Sequence, residues 1–254
     1  MQFRAGRRVV PFSLLAGLAL CQAGQVEAAR FSVNPTQVVL TPRVTSALLS
    51  LKNESNEPLR FQLSASAWDQ SPTGEMILQD TEDVIFFPQL LTLGPGEERK
   101  VRVAVGDAAA RVEKTYRLFV EELPSPEQPR TPGVVRVLTR MGIPVFVRPP
   151  TVQVRGELRD LAFAGGRVTF ALGNSGNMHF VPEHLVLRAL SAEGQPLGER
   201  QVDAWYILAG GVRRFSVDVT GISNTPVGQW LVECRVGAST LSERLAAPGK
   251  RPLP

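Results

Sequence analysis

The stretch GVVRVLTRMGIPVFVRPP, residues 133–150, is the most strongly β-forming part of this chain. It contains five Val, one Ile, one Leu, one Phe and one Met, interleaved with three Arg and with no Asp or Glu. This content predicts a strand over 134–147, about twice the usual strand length. Because side chains alternate across a strand, one face is almost purely apolar. That face comprises Val135, Val137, Thr139, Met141, Ile143, Val145 and Val147, and the other comprises Val134, Arg136, Leu138, Arg140, Gly142, Pro144 and Phe146.

An apolar strand face of this kind is usually covered by the protein's own core, and that alternative stays open. Two features argue against it here. The preceding segment PSPEQPRTPG, 124–133, is rich in Pro and poorly suited to cover the strand. The following RPP at 148–150 breaks the β pattern and places the strand beside a joint between domains. We therefore expect the strand to lie at an interdomain cleft and to be more than an ordinary covered strand.

The first residues have the three-part layout of a secretory signal peptide. The basic start MQFRAGRR precedes an apolar run over 9–24, and small-residue cleavage sites follow. We expect removal of residues 1–28, with cleavage after Ala28 or after Ala29, and export of the protein. The alternative, a lipoprotein signal at Cys21, is disfavoured by the bulky Leu20 before it.

Removal of residues 1–28 lowers the formal net charge from +4 to +2, because three Arg and one Glu are lost. This mild balance gives no reason to expect a nucleic-acid partner. Cys234 is then the one remaining cysteine, so the chain has no internal disulfide framework. Within the strand-like WLVECRV, Cys234 is most simply a buried small hydrophobic residue.

Short alternating segments separated by Gly, Pro, Asn and Asp recur along the chain, and helix signals are almost absent. The pattern predicts an all-β protein with roughly seven strands before residue 148, the number expected of an immunoglobulin-like domain. A second set of strands follows the Pro pair. The expected units are an N-terminal domain over 29–148, a Pro-Pro joint at 149–150, a β-sandwich over 151–247 and a disordered tail over 248–254. Predicted strands include 30–40, EKTYRLFVEEL over 113–123, and 204–210.

The side chains needed for catalysis or metal binding are scarce. The two histidines, His179 and His184, lie near a predicted strand start without a carboxylate pair at metal-ligand spacing, and we interpret them as surface or loop-packing residues. GNSGN at 173–177 lacks the Lys and the following helix of a phosphate loop. The acidic pairs at 97–98 and 121–122 fit alternating strand faces. We therefore expect no enzyme activity, no metal and no cofactor.

Two stretches resemble the periplasmic pilus-assembly chaperones of the chaperone–usher pathway, the PapD-like family. They are YRLFVEELPSP at 116–126 and VVRVLTRMGIPVFVRPP at 134–150. FSVNPTQVVL and LKNESNEPLRFQL fit the first strands of the same domain. The pattern LxRxxIPVFVxPP looks like the divergent, archaic branch of the family. The resemblance implies two immunoglobulin-like β-sandwich domains in a boomerang arrangement.

The resemblance also implies a function. Family members act in the Gram-negative periplasm, form one-to-one complexes with pilin subunits and deliver them to an outer-membrane usher. The chaperone completes the subunit's fold by lending the last strand of its first domain, a form of strand addition. By alignment the lent side chains are Val135, Val137, Thr139 and Met141, with a slip to Val134 and Leu138 as the alternative register. Without a client, a self-capping homodimer is expected.

Family members hold the subunit's C-terminal carboxylate with a basic pair, and here the matching positions are Gln37 and Pro144. Because a carboxylate in a cleft still needs a cation or several N–H donors, Arg117 and Arg140 are our candidate replacements. Both could instead lie on a solvated face. The alternative function is a secreted immunoglobulin-like binding or adhesion module whose long strand is covered.

Overall fold

The structure, a computed structural model, describes residues 30–106, 108, 110–124 and 137–247. All seventeen elements assigned in these residues are β-strands, which confirms the predicted all-β class. The predicted signal peptide, 1–28, and the predicted tail, 248–254, lie outside the described residues. Within the described part, no helix has the length and hydropathy needed to span a bilayer.

The first ten strands form two facing sheets around one apolar core. A four-stranded sheet has the order β1-β3-β8-β6, and a six-stranded sheet has the order β2-β10-β9-β4-β5, with β7 also paired to β4. The core includes Leu49, Phe61 and Leu118, each fully buried. The strands are β1 (Phe31–Asn34), β2 (Val38–Leu40), β3 (Ser46–Asn53), β4 (Leu59–Gln70), β5 (Met76–Asp80), β6 (Val84–Phe87), β7 (Leu90–Leu93), β8 (Glu98–Val105), β9 (Lys114–Leu123) and β10 (Arg140–Val147).

The single strand predicted over 30–40 is in fact two. β1 pairs with β3 in the four-stranded sheet, whereas β2 pairs in parallel with β10 in the other sheet. Pro35 follows β1 directly and has no N–H with which to continue the ladder. The chain therefore crosses from one sheet to the other between Asn34 and Val38.

The second group of strands begins at Gly156 and encloses a separate core. A three-stranded sheet, β11-β12-β15, faces a four-stranded sheet, β14-β13-β16-β17. Cys234 is buried in this core on β16, as its sequence context predicted. The strands are β11 (Gly156–Ala164), β12 (Arg167–Asn174), β13 (Glu183–Leu190), β14 (Pro196–Gln201), β15 (Val212–Asp218), β16 (Gln229–Val236) and β17 (Ser239–Ala246).

The strand predicted over 204–210 is wrong. In that segment Ile207 makes one isolated bridge to Phe180 and no ladder forms. Its aromatic residues Trp205 and Tyr206 contact Trp68 of the first domain instead. The aromatic side chains of this apolar run thus contact the first domain rather than continuing a sheet, a difference that period-two alternation does not reveal.

Candidate functional site

The last strand of the first domain has two halves with opposite environments. We call residues 137–142 the open half and residues 143–147 the covered half. In the open half Val137 is 49% exposed and Leu138 is 41% exposed, whereas in the covered half Ile143 is 1% exposed. Strand β10 begins only at Arg140, so the predicted strand over 134–147 is too long within the described residues. Residues 134–136 lie outside them.

The hydrogen bonds explain why the strand is shorter than predicted. β10 pairs with β9 along its whole length, from Arg140 opposite Glu121 to Val147 opposite Lys114. Before Arg140 one further backbone bond remains, from the N–H of Glu122 to the carbonyl of Thr139 at 2.9 Å. The Thr139 N–H is bound by the Glu122 side chain (3.3 Å) rather than by a strand partner.

The opposite edge of β10 is only partly used. β2 pairs with Val145, Phe146 and Val147, and no other described strand pairs with that edge. From Arg140 to Pro144, no described strand pairs with this edge, although the carbonyl of Gly142 accepts a hydrogen bond from the Arg117 side chain. Such an edge is a template on which another chain can add a strand.

The four predicted donor residues fall at different places along this segment. Val135 lies outside the described residues, Val137 is exposed, and Thr139 and Met141 are partly exposed. Met141 packs against the first core, and Ile143, Val145 and Val147 on the same strand face lie inside it. The predicted apolar face is thus the core face of the domain, continued beyond the covered half.

The other face of β10 lies at the boundary between the two domains. Phe146 is fully buried there among Trp68 from the first domain and Tyr206 and Leu208 from the second. The ring of His179 stacks on Phe146 with centroids 3.9 Å apart. Aromatic contacts from both domains therefore fix the covered half at this boundary.

Arg117 lies in this boundary and is only 4% exposed. Its position on β9 is directly opposite Pro144 of β10, and its Nη1 donates to the carbonyl of Gly142 at 3.2 Å. Its Cζ lies 3.9 Å from the ring centroid of Trp68 and 4.8 Å from that of Trp205. Neither Nε nor Nη2 has a hydrogen-bond acceptor among the described groups.

The electrostatic consequence is a desolvated cation with unused donors. Burial lowers the pKa of the Arg117 guanidinium, and the nearby Tyr206 opposes that change. A buried charge without a partner is costly, so a carboxylate that reached Arg117 would find two unpaired donor nitrogens, Nε and Nη2, in a fixed planar arrangement.

Arg140, the second candidate, is placed differently. Its side chain is 53% exposed, forms a 3.5 Å ion pair with Glu121 and stacks over Phe119 with Cζ 4.0 Å from the ring centroid. Phe119 follows Arg117 by two positions on the same face of β9, so its ring separates the two cations. The structure does not bring Arg117 and Arg140 together.

The positions matching the family's basic pair are also at the boundary. Gln37 accepts a hydrogen bond from the hydroxyl of Tyr206 at 3.3 Å, and Pro144 is buried beside Arg117. These two side chains are neutral, and Arg117 supplies a cation directly opposite Pro144.

A buried hydrogen bond between the side chains of His179 and Glu113 at the boundary was not predicted. His179 Nδ1 lies 2.6 Å from Glu113 Oε2, and the backbone N–H of His179 donates to the same oxygen at 2.8 Å. Of the two predicted roles for His179, the surface role is wrong, because the residue is 8% exposed and links the domains. No local sequence signal relates these residues, because 66 positions separate them.

Further hydrogen bonds connect the domains. The side chain of Asn177 donates to the carbonyls of Arg111 (3.0 Å) and Thr151 (2.8 Å). The N–H of Arg214 donates to the carbonyl of Pro72 at 2.7 Å, in the turn between β4 and β5. The GNSGN segment that lacks phosphate-loop features therefore helps to connect the domains.

This fold and boundary define a two-domain β-sandwich protein with an open strand edge next to an interdomain cation. Residues 30–153 match the family "Pili and flagellar-assembly chaperone, PapD N-terminal domain". The first domain thus matches the pilus-chaperone family, and the resemblance noted in the sequence is confirmed. The family and the fold point to a protein that is not an enzyme.

Solved structures with this fold are similar over most of the chain. CsuC in its complex with the tip adhesion subunit CsuE, from the archaic Csu pili of Acinetobacter baumannii, is 16% identical, with a TM-score of 0.56 over 85% of this chain and 98% of that one. The SafB chaperone in its complex with SafA pilin from Salmonella enterica is a second match. The identity is 15% and the TM-score is 0.55, over 87% of this chain and 99% of that one. The Escherichia coli chaperone DraB is 18% identical, with a TM-score of 0.53 over 87% of this chain and 97% of that one.

No curated protein sequence matches the chain significantly. Across the part of the chain that the structure describes, no group of three or more His, Cys, Asp or Glu side chains is arranged to hold a metal ion.

Proposed function

We propose that this protein is a periplasmic chaperone that binds one pilin subunit, completes its fold with the open half of its last first-domain strand and passes it to an outer-membrane usher. The observation that carries this proposal is the unpaired, apolar edge at residues 137–144 in a chain whose first domain matches the pilus-chaperone family. Export through the segment 1–28, delivery to the usher and self-capping without a client remain predictions from the family. So does membership of the archaic branch.

The continuity of the core supports strand addition. Met141 packs on the same core that contains Ile143, Val145 and Val147. A subunit strand paired with the open half would therefore extend the six-stranded sheet and receive the apolar row as part of its own interior. Fully burying a side chain such as Val137 would contribute about 1.5–3 kcal/mol.

The alternation also favours one register. Val137, Thr139 and Met141 belong to the same alternating strand face as the buried residues 143, 145 and 147. Leu138 belongs to the opposite face, with Arg140 and Gly142. A slip by one residue would turn the opposite face inward and bring Arg140 towards the subunit's interior. Burying that charge without a partner would be costly. We therefore propose Val135, Val137, Thr139 and Met141 as donors.

Arg117 is the proposed anchor for the subunit's terminal carboxylate. It is buried, its Nε and Nη2 have no acceptor among the described groups, and it lies opposite Pro144 in the covered half of β10. Arg140 already has Glu121 as a partner and is half exposed, so a role for it as anchor has less support.

The deciding experiment compares Val137→Asp with Leu138→Asp in the tagged protein, expressed in a host that is assembling its fibres. Both side chains are exposed, so both variants should fold. We expect the wild type and Leu138→Asp to be isolated from the periplasm with one small β-rich subunit. Val137→Asp should lose at least about a hundredfold in affinity, because it would bury an unpaired carboxylate in the subunit.

Native mass spectrometry gives the stoichiometry, and circular dichroism confirms that each variant is folded. If the wild type is isolated alone under these conditions, the strand-donation proposal fails. The result would then favour the alternative function, a secreted immunoglobulin-like binding module. If Leu138→Asp loses the subunit while Val137→Asp keeps it, the register is the alternative one.

A further inference from the structure

Trp205 of the second domain lies over the guanidinium of Arg117. It belongs to the segment between β14 and β15 that forms no ladder, and it is 39% exposed. Trp68, the other ring against Arg117, is 2% exposed. Because Trp68 is buried and Trp205 is partly exposed, Trp205 is the ring on the solvent side of the guanidinium.

The ring of Trp205 contacts Trp68, Tyr206 and Arg117. Its ring centroid lies 5.5 Å from that of Trp68, 5.1 Å from that of Tyr206 and 4.8 Å from the Cζ of Arg117. The buried indole N–H groups without an acceptor in the described residues are those of Trp68 and Trp230, and the indole of Trp205 is not among them. Tilted ring contacts and a single cation–π contact are weak restraints compared with a charge-assisted pair of hydrogen bonds.

The guanidinium of Arg117 has unused donors for an anion, but the ring of Trp205 covers it. Arg117 is 4% exposed, and its Nε and Nη2 are buried without acceptors. Its Nη1 donates to the carbonyl of Gly142, which ties the guanidinium to β10. A carboxylate would have to displace Trp205 to pair with it.

We propose that Trp205 is a gate over Arg117, closed in the client-free protein and displaced when the terminal carboxylate of a bound polypeptide enters. This inference rests on the proposed function for the nature of the polypeptide, but the closed state is a property of this chain alone. The gate couples the second domain to the anchoring step, although the lent strand belongs entirely to the first domain. It also favours a free chain end, since a neutral amide offers no charge with which to replace the ring.

The gate is testable without a client by labelling arginines with phenylglyoxal and mapping the modified peptides by mass spectrometry. Arg140 serves as the internal reference because its side chain is 53% exposed. In the wild type we expect Arg117 to react at least tenfold more slowly than Arg140. Trp205→Ala should raise the rate at Arg117 about tenfold and leave Arg140 unchanged.

Three further variants control this experiment. Val181→Ala truncates another exposed apolar side chain of the second domain and should leave both rates as in the wild type. Trp205→Phe retains an aromatic cover and should stay close to the wild type. Trp205→Leu keeps apolar contact with Tyr206 but cannot stack, so it tests the gate even if Trp205→Ala fails to fold. Fast labelling of Arg117 in the wild type, or unchanged labelling in a folded Trp205→Ala or Trp205→Leu, would overturn the proposal.

The same labelling in the purified complex separates the gate from the proposed function. With a subunit bound, Arg117 should be protected in both the wild type and Trp205→Ala, because the carboxylate then occupies its N–H groups. An Arg117 that stays reactive in the Trp205→Ala complex would overturn the carboxylate as the displacing group. A failure of Val137→Asp to release the subunit would affect only the strand proposal.

Discussion

The open and covered halves of residues 137–147 carry the same alternating apolar pattern but meet different surroundings. Val137 is 49% exposed, whereas Val145 of the same residue type and strand parity is fully buried. β2 and the first core account for the covered half, and no described strand pairs with the open edge beside the other half. One sequence pattern can therefore serve both as a domain's own core and as a surface for another chain, and the neighbouring strand decides which.

The largest expected contrast is in stability. Val145→Ala removes buried methyl groups from a packed core and should lower the free energy of unfolding of the first domain by about 2–3 kcal/mol. Val137→Ala should lower it by no more than about 0.5 kcal/mol, because the side chain is exposed. Urea denaturation of both variants measures the difference. Equal losses would mean that Val137 is covered in the free protein and that the two halves are alike.

A second contrast concerns the two cations, since Arg117 lies opposite the covered half and Arg140 lies in the open half. If Arg117 holds the subunit's carboxylate, Arg117→Ala should weaken subunit binding by about 2–5 kcal/mol. Arg140→Ala removes an exposed ion pair worth about 0–1 kcal/mol and should change affinity little. Competition between tagged and untagged chaperone for a purified subunit gives both values.

Conservative replacements sharpen this second contrast. Arg117→Lys keeps the charge but not the planar pair of donors, so it should recover only part of the affinity. If Arg140→Ala is the more damaging change, the anchor lies in the open half and Arg117 is a structural cation.

Much of this arrangement could be predicted from the sequence because it depends on local patterns. Alternation and turn residues indicated both sandwiches, and a lone Cys in a strand-like segment indicated the buried Cys234. Local patterns could not show that Pro35 divides the first strand between sheets or that Trp205 and Tyr206 leave strand geometry to meet Trp68. Those outcomes depend on contacts between residues far apart in the sequence, such as the pairing of Val38 with Val145 and the hydrogen bond from Leu208 to Gln70.

The candidate site was likewise predictable only in the part that depends on local sequence. Arg117 could be named as a candidate because its strand is adjacent to the last strand in this fold. Its burial depends on Trp205 from the other domain, and its separation from Arg140 depends on the ring of Phe119. The length of the apolar stretch predicted a longer strand, but backbone pairing ends where β9 gives way to the Pro-rich segment.

The smallest expected effect tests whether the contrast between the halves stays within the first domain. The two cores share no residue, so Val145→Ala should leave the second domain folded in native buffer. Burial raises the pKa of the Cys234 thiol to about 11, so the folded protein holds almost no thiolate at pH 8. Ellman's reagent should therefore react slowly with Cys234 in the wild type, Val137→Ala and Val145→Ala, with rates within about twofold of one another.

The pH dependence gives this measurement an internal check. The unfolded thiol titrates near pH 8.5, so the neutral buried thiol contributes stability fully below that pH. The contribution declines as the pH rises through about 11, where the folded thiol ionises.

If Val145→Ala reacts much faster than the wild type at pH 8, loss of packing in the covered half reaches the second core. The aromatic boundary around Phe146 would then couple the two domains into one cooperative unit, and the open half would be the only part of the strand that can change without affecting both.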